Sequence, residues 1–243
     1  MSAVPYRILV ADDDLVSRLA MEDTLRAGPP SEVATVDDGP SAWTALRGPL
    51  PFDLVCLDVR MPPPDGLELA ERIRATPALK RVPVMLITST ADRNTVLSAT
   101  RLQLQGFVVK PVNADTVGRI AKVLEQLDAS ILEPTAATLA RLRLDADRHA
   151  RYVGAFLQQM RALGEVATAL DEGGAGAGAH RASFVQKCDA CRTAALTMGA
   201  PRLEQAVGDA LAAAQAESPG AAATMRQAVY WLERVARSRA LAA

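Results

Sequence analysis

The chain has 243 residues, is 49% hydrophobic and carries a formal net charge of -1 at pH 7, with a mean hydropathy of +0.08. That is enough apolar material for two ordinary domains, and no apolar run approaches the roughly twenty residues of a membrane span. Residues 1–128 hold 14 basic and 17 acidic side chains and the remainder 13 and 11, so neither half carries the basic excess of a nucleic-acid binder. Acid enters the N-terminus MSAVPYRILVADDD before a signal-peptide core forms, and Cys56, Cys188 and Cys191 are too few and too unevenly placed for a disulfide framework. A cytoplasmic protein with neither membrane nor nucleic acid among its partners is the expectation.

The first half alternates short β-branched apolar runs with amphipathic segments, the pattern of a doubly wound α/β fold. Strands are expected at Arg7 to Ala11, Glu32 to Val36, Asp53 to Asp58, Pro83 to Thr88 and Gly106 to Lys110, forming a five-stranded parallel sheet buried on both faces. Cys56 falls inside the third strand and reads as core. Asp14 reads as the cap or first-turn acid of the following helix.

After Asp128 strand formers thin out, and alanine, arginine and leucine at helical spacing take over. The domain division is therefore 1–128 and 129–243, the second an all-α bundle. Its helices are expected at Pro134 to Leu144, Asp147 to Leu170, His180 to Met198, Pro201 to Ala216 and Pro219 to Leu241. DEGGAGAGA (Asp171 to Ala179) reads as a glycine-rich connector. Its Gly174, Gly176 and Gly178 do not form a phosphate loop, since no strand precedes and no lysine with serine or threonine follows.

The chemistry of the first half lies at the strand ends. Asp12 and Asp13 follow the first strand and Asp58 ends the third, and the carboxyl ends of a parallel sheet form the crevice where ligands bind. Clustered hard oxygens suit Mg²⁺. Thr88 and Lys110 end the next two strands, adding a hydroxyl and an ammonium to the same rim. That set has the make-up of a phosphoryl-transfer site.

VADDD (Val10 to Asp14), LDVRMPPPDG (Leu57 to Gly66), PVMLITS (Pro83 to Ser89) and FVVKPV (Phe107 to Val112) together resemble the receiver domain of a bacterial response regulator, with its flavodoxin-like fold. The resemblance implies that Asp58 takes a phosphoryl group from a sensor histidine kinase or phosphotransfer protein. It implies Mg²⁺ held by Asp13, Asp58 and the backbone carbonyl of Arg60, with Asp12 acting largely through a water. Lys110 and Thr88 would meet the phosphoryl oxygens, Thr88 and Phe107 would be the switch residues, and the Lys110–Pro111 bond would be cis. Two stretches depart from the family. Arg60 and Thr90 stand at the positions that tune phosphoryl loss, which predicts slow self-dephosphorylation. RLQLQG (Arg101 to Gly106) replaces a small Ala-Gly-Ala-like turn beside the usual signalling face.

The helical half resembles a histidine-containing phosphotransfer domain through PTAATLARLRL (Pro134 to Leu144), YVGAFLQQMRALGEVATAL (Tyr152 to Leu170) and MGAPRLEQAVGDALAAA (Met198 to Ala214). Aligning on Gly199 and Ala200 places Asp189 where the family has its reactive histidine and Arg192 where it has lysine. His149 and His180 fall elsewhere and read as structural or solvated. Cys188 and Cys191, three apart on one helix, lack the further ligands of a zinc site and the helix terminus of a redox pair, and read as packing.

The resulting expectation is a response regulator without a separate enzymatic domain, whose degenerate bundle binds a protein partner as adaptor or competitor. The partners in view are the kinase or phosphotransfer protein, another receiver domain, or a second copy of this chain. The alternatives are a phosphorelay component that passes phosphate from Asp58 to His180 or His149, and a transcriptional regulator.

Overall fold

The computed structural model describes residues 4–90, 93–172, 177–218 and 220–240. The chain divides into two compact units, one of residues 4–127 and one beginning at Asp128.

The first unit contains β1 (Tyr6–Ala11), α1 (Leu15–Arg26), β2 (Ser31–Val36), α2 (Gly39–Leu46), β3 (Leu54–Asp58), α3 (Gly66–Ala75), β4 (Val84–Thr88), α4 (Arg93–Arg101), β5 (Gly106–Val109) and α5 (Ala114–Ile131), whose last turn enters the second unit. The strands are parallel, in the order β2-β1-β3-β4-β5. Alternate residues feed two cores: Leu9, Val55, Leu57 and Leu86 face one, and Ile8, Leu54, Cys56 and Ile87 the other. The expectation of burial on both faces holds for β3 and β4, buried throughout, and for most of β1. It fails for β2 and β5, which are only partly covered because the strand order puts them at the edges.

Local chemistry starts the helices where the strands end. The Asp14 side chain caps α1 by accepting from the Ser17 amide, Asp38 caps α2 through Ser41, and Asp65 forms a capping box with Glu68 at α3. Such caps satisfy amide groups that a helix start leaves without partners.

The second unit contains α6 (Thr135–Leu142), α7 (Ala146–Glu172), α8 (Ala177–Thr197), α9 (Pro201–Gln215) and α10 (Ala221–Ala240). In the four-helix arrangement, α7 and α9 each pack against both α8 and α10, and α6 lies on α7. The core stripes repeat at bundle spacing: Phe156, Met160, Leu163 and Ala167 on α7, and Phe184, Cys188, Cys191 and Ala195 on α8. The cysteine pair is thus two members of a packing stripe. Burial pushes the Cys188 thiol up to about 12 and the Cys191 thiol to about 11, so neither is a thiolate at neutral pH.

The glycine-rich connector is shorter than expected. Gly174 and Gly176 lie outside the described residues, while Gly178 is already inside α8. Gly199 ends α8 at φ +63°, where L side chains are disfavoured, and a β-carbon there would come within 2.3 Å of the Glu133 side chain. Its carbonyl accepts from the Glu133 amide at 2.8 Å. The Gly-Ala step is therefore a helix stop fitted against the segment that enters the bundle. That segment is held further by Arg234, whose guanidinium grips the Asp128 carboxylate, and by Arg239, which donates to the Leu132 and Glu133 carbonyls.

Candidate functional site

The three predicted acids meet at the carboxyl end of the sheet: Asp12, Asp13 and Asp58 each offer a carboxylate oxygen, all within 4.8 Å of one another. Asp12 and Asp58 are buried while Asp13 is exposed, so the cluster has a dry floor and a wet mouth. Lys110, just past β5, reaches in and bridges the floor, with Nζ 2.9 Å from Asp12 Oδ2 and 3.1 Å from Asp58 Oδ1. The Lys110–Pro111 bond is cis, as the resemblance implied, and so is Pro63–Pro64.

Two opposed effects set the charge state. Burial pushes the Asp58 carboxyl above the ordinary carboxylate range; the Lys110 hydrogen bond works against that, and the Asp12 charge works with it. Burial alone would lower the Lys110 ammonium, but its hydrogen bonds to Asp12 and Asp58 outweigh that and raise it. Three carboxylates against one ammonium leave a surplus of negative charge in a partly dry pocket. That donor set of hard oxygens, with one side open, fits a hydrated divalent ion such as Mg²⁺.

Asp12 is the most tightly held of the acids. Its Oδ2 accepts from Ser17 Oγ at 2.6 Å, its Oδ1 from the Asp14 amide at 3.1 Å, and its carbonyl from Arg18 at 2.6 Å. Neither Ser17 nor Arg18 was foreseen, although the signal exists: once Asp14 caps α1, the first turn of that helix must stand over the end of β1. Gly66 is a third such residue. A β-carbon on it would fall 2.1 Å from the Asp58 carbonyl oxygen, so the start of α3 closes on the end of β3 only because no side chain intervenes.

Thr88 is buried at the end of β4, but its hydroxyl does not point its hydrogen bond at Asp58. It donates to the Thr90 carbonyl at 2.7 Å and accepts from the Thr90 amide at 3.2 Å. Phe107 is half-buried against the core formed by the β-strands, α3 and α4. Arg60 is exposed two residues after Asp58. Around the mouth, α1 shows solvent an apolar face of Leu15, Val16 and Leu19, with Val16 74% exposed.

In the second unit Asp189 is exposed in the middle of α8 and lines a groove of about 560 Å³ between α7 and α8, beside Tyr152, Phe156 and Met198. Arg192 is tied to Glu204 of α9 at 2.6 Å. His149 is buried, with no hydrogen-bond partner for Nε2, whereas His180 is exposed.

An acidic pocket with a bridging lysine, set at the carboxyl edge of a 2-1-3-4-5 parallel sheet, defines a class of phosphoryl-accepting signalling domains. The response regulator receiver domain family matches residues 8–122, and the chain belongs to that family. Over 122 residues it is 34% identical to the chemotaxis protein CheY-3 of Vibrio cholerae, covering 50% of this chain and 93% of the relative. It is 32% identical over 123 residues to the chemotaxis protein CheY of Pseudomonas aeruginosa, covering 50% and 98%. Among solved structures, the Vibrio cholerae chemotaxis protein CheY4 matches at 27% identity with a TM-score of 0.45, covering 51% of this chain and 99% of that one. No helix among the described residues is long and apolar enough to cross a membrane.

Proposed function

We propose that the first unit takes a phosphoryl group on Asp58 from the phosphohistidine of a sensor kinase or phosphotransfer protein, and that the second unit reads the outcome by binding a protein. The observation that carries the first part is the Asp12–Lys110–Asp58 bridge: a buried carboxylate lies between a fixed cation and a second acid at the mouth of the sheet.

The chemistry follows from those side chains. An Asp58 carboxylate oxygen bonds to phosphorus while the bond from phosphorus to the donor imidazole nitrogen breaks, its electron pair staying on nitrogen. Mg²⁺, held by Asp13, Asp58 and the Arg60 carbonyl with Asp12 behind a water, would neutralise charge on the phosphoryl oxygens. Lys110 exchanges its contact with Asp58 for one with a phosphoryl oxygen and keeps Asp12. The Thr88 hydroxyl releases the Thr90 carbonyl to donate to another, and the room it vacates lets Phe107 turn inward. Arg60 at the mouth screens the acyl phosphate from water and slows its loss. The exposed Leu15, Val16 and Leu19 give the donor protein an apolar landing beside the mouth.

The reading of the second unit is supported by Asp189, which has no imidazole to carry phosphate yet stands exposed over an apolar groove. Such a surface suits engagement of a kinase or another receiver without phosphate transfer, as adaptor or competitor. The relay alternative retains one support, the exposed His180, whereas His149 is buried.

The test is phosphorylation of the full chain by a radiolabelled phosphohistidine donor, followed by capture of partners with and without beryllofluoride. Base-labile label lost in Asp58→Ala, together with a partner whose capture changes with beryllofluoride, is the expected result. Acid-labile, base-stable label that disappears in His180→Gln would replace this reading with the relay, and salt-dependent DNA binding would replace it with transcriptional control.

A further inference from the structure

Ser17 sits in the first turn of α1, and its two hydrogen-bond donors go to two different acids. Its amide donates to Asp14 Oδ1 at 2.7 Å as part of the helix cap, and its hydroxyl donates to Asp12 Oδ2 at 2.6 Å. Within a helix, a serine or threonine hydroxyl often returns to the carbonyl four residues back, as Thr24 does to Ala20 further along α1. Ser17 instead spends its hydroxyl on a fully buried carboxylate just past β1, at the length of a charge-assisted bond.

The consequence lies in what Asp12 has left to give. A carboxylate offers about four acceptor positions. Lys110 Nζ, at 2.9 Å, and the Ser17 hydroxyl both fall on Oδ2, while Oδ1 accepts from the Asp14 amide at 3.1 Å. Among the described residues, then, Oδ2 is filled and the open position is on Oδ1. A cation could reach Oδ2 only by displacing Ser17 or Lys110. Asp13, by contrast, is exposed, and Asp58 meets Lys110 through Oδ1 at 3.1 Å.

We propose that Ser17 is a positioning residue, which locks the Asp12 carboxylate so that Oδ2 is kept for Lys110 and one Oδ1 position is kept for a metal-bound water. The inference rests on the reading of the first unit as a Mg²⁺-assisted phosphoryl acceptor, and extends it to a side chain outside the strand ends. Groups that orient the partners of a metal contribute about ten- to a hundredfold in affinity. Without the hydroxyl, the buried carboxylate loses one of its anchors and a charge-assisted partner, and the water loses a fixed acceptor. The helix cap survives that change, because it uses the Ser17 amide and not the side chain.

The experiment is calorimetric titration of the full chain with Mg²⁺ in the absence of any phosphodonor, followed by uptake from acetyl phosphate over a range of Mg²⁺ concentrations. Ser17→Ala should weaken Mg²⁺ binding about tenfold and raise the Mg²⁺ needed for half-maximal uptake by the same factor, with the maximal rate retained. Ser17→Thr, which keeps the hydroxyl, should restore both, and Ser17→Val, of the same shape without it, should not. Equal Mg²⁺ affinity in Ser17→Ala and the parent, a loss confined to the maximal rate, or equal affinity in Ser17→Val and Ser17→Thr would each overturn the proposal. A parent chain that binds Mg²⁺ yet takes up no phosphoryl group would instead overturn the acceptor reading, and the calorimetric comparison would still decide the role of Ser17.

Discussion

Asp58 and Asp189 are the same residue type, one at the end of a receiver strand and one in the middle of a bundle helix, and their surroundings could hardly differ more. Asp58 is sealed at the end of a central strand, between a second buried acid and a lysine whose position is set by the neighbouring strand. Asp189 is out in solvent on a helix face, over an apolar groove, with the nearby Arg192 already held by Glu204. A carboxylate becomes a phosphoryl acceptor through its desolvation, its fixed cation and its fellow acids; only one of the two sites has these.

The sharpest break between them should be chemical. Asp58→Ala should abolish phosphoryl uptake from acetyl phosphate, read as a lost mobility shift on a phosphate-affinity gel, while Asp189→Ala leaves it unchanged. Lys110→Ala should come next, slowing uptake roughly 10²–10³-fold by removing the charge that meets the phosphoryl oxygens. A third contrast is structural. Gly199→Ala should destabilise the helical unit by about 1–3 kcal/mol in denaturant titration, because its φ and the Glu133 side chain both oppose a β-carbon.

Smaller effects follow from proton linkage. The Asp58 carboxyl is raised on folding, so in EDTA its ionisation destabilises the receiver increasingly as pH rises above the unfolded value near 4. Asp58→Asn should therefore raise the thermal midpoint at pH 7 by a few degrees, with the gain vanishing toward pH 4. His149 behaves in the opposite sense. Burial lowers it first and the Arg239 charge further, against a raising pull from Glu133, while Arg141 of α6 also pairs with that glutamate. The stability this neutral histidine preserves is present above about pH 6.5 and is lost as pH falls below it. A helical-unit melting curve recorded from pH 7.5 to 5 should show that loss in the parent and much less of it in His149→Gln.

Legibility in the sequence followed the same divide. The receiver strands were readable because a buried parallel strand is a short continuous apolar run, and the candidate site because four of the five runs end on, or just before, one of its residues. Ser17, Arg18 and Gly66 were not foreseen, since their roles depend on how helix starts stand over strand ends rather than on any run of residues. The hydrogen bond from Thr88 to Thr90 was equally hidden: the hydroxyl's position is given by the strand, but its rotamer is chosen by a local backbone carbonyl. In the bundle, alanine, arginine and leucine at helical spacing located the helices, and the cysteines joined the α8 stripe as packing residues. The connector was overestimated because glycines next to alanines still permit helix, as Gly178 does.

The cysteines have one last consequence, for how this protein can be studied. All three are buried, and the thiols of Cys56 and Cys188 are held near 12 and that of Cys191 near 11. To a maleimide or a spin-label reagent, the native surface is therefore blank. A single cysteine introduced at exposed Thr193 would be labelled alone, giving a reporter beside the α7–α8 groove without first removing any native residue.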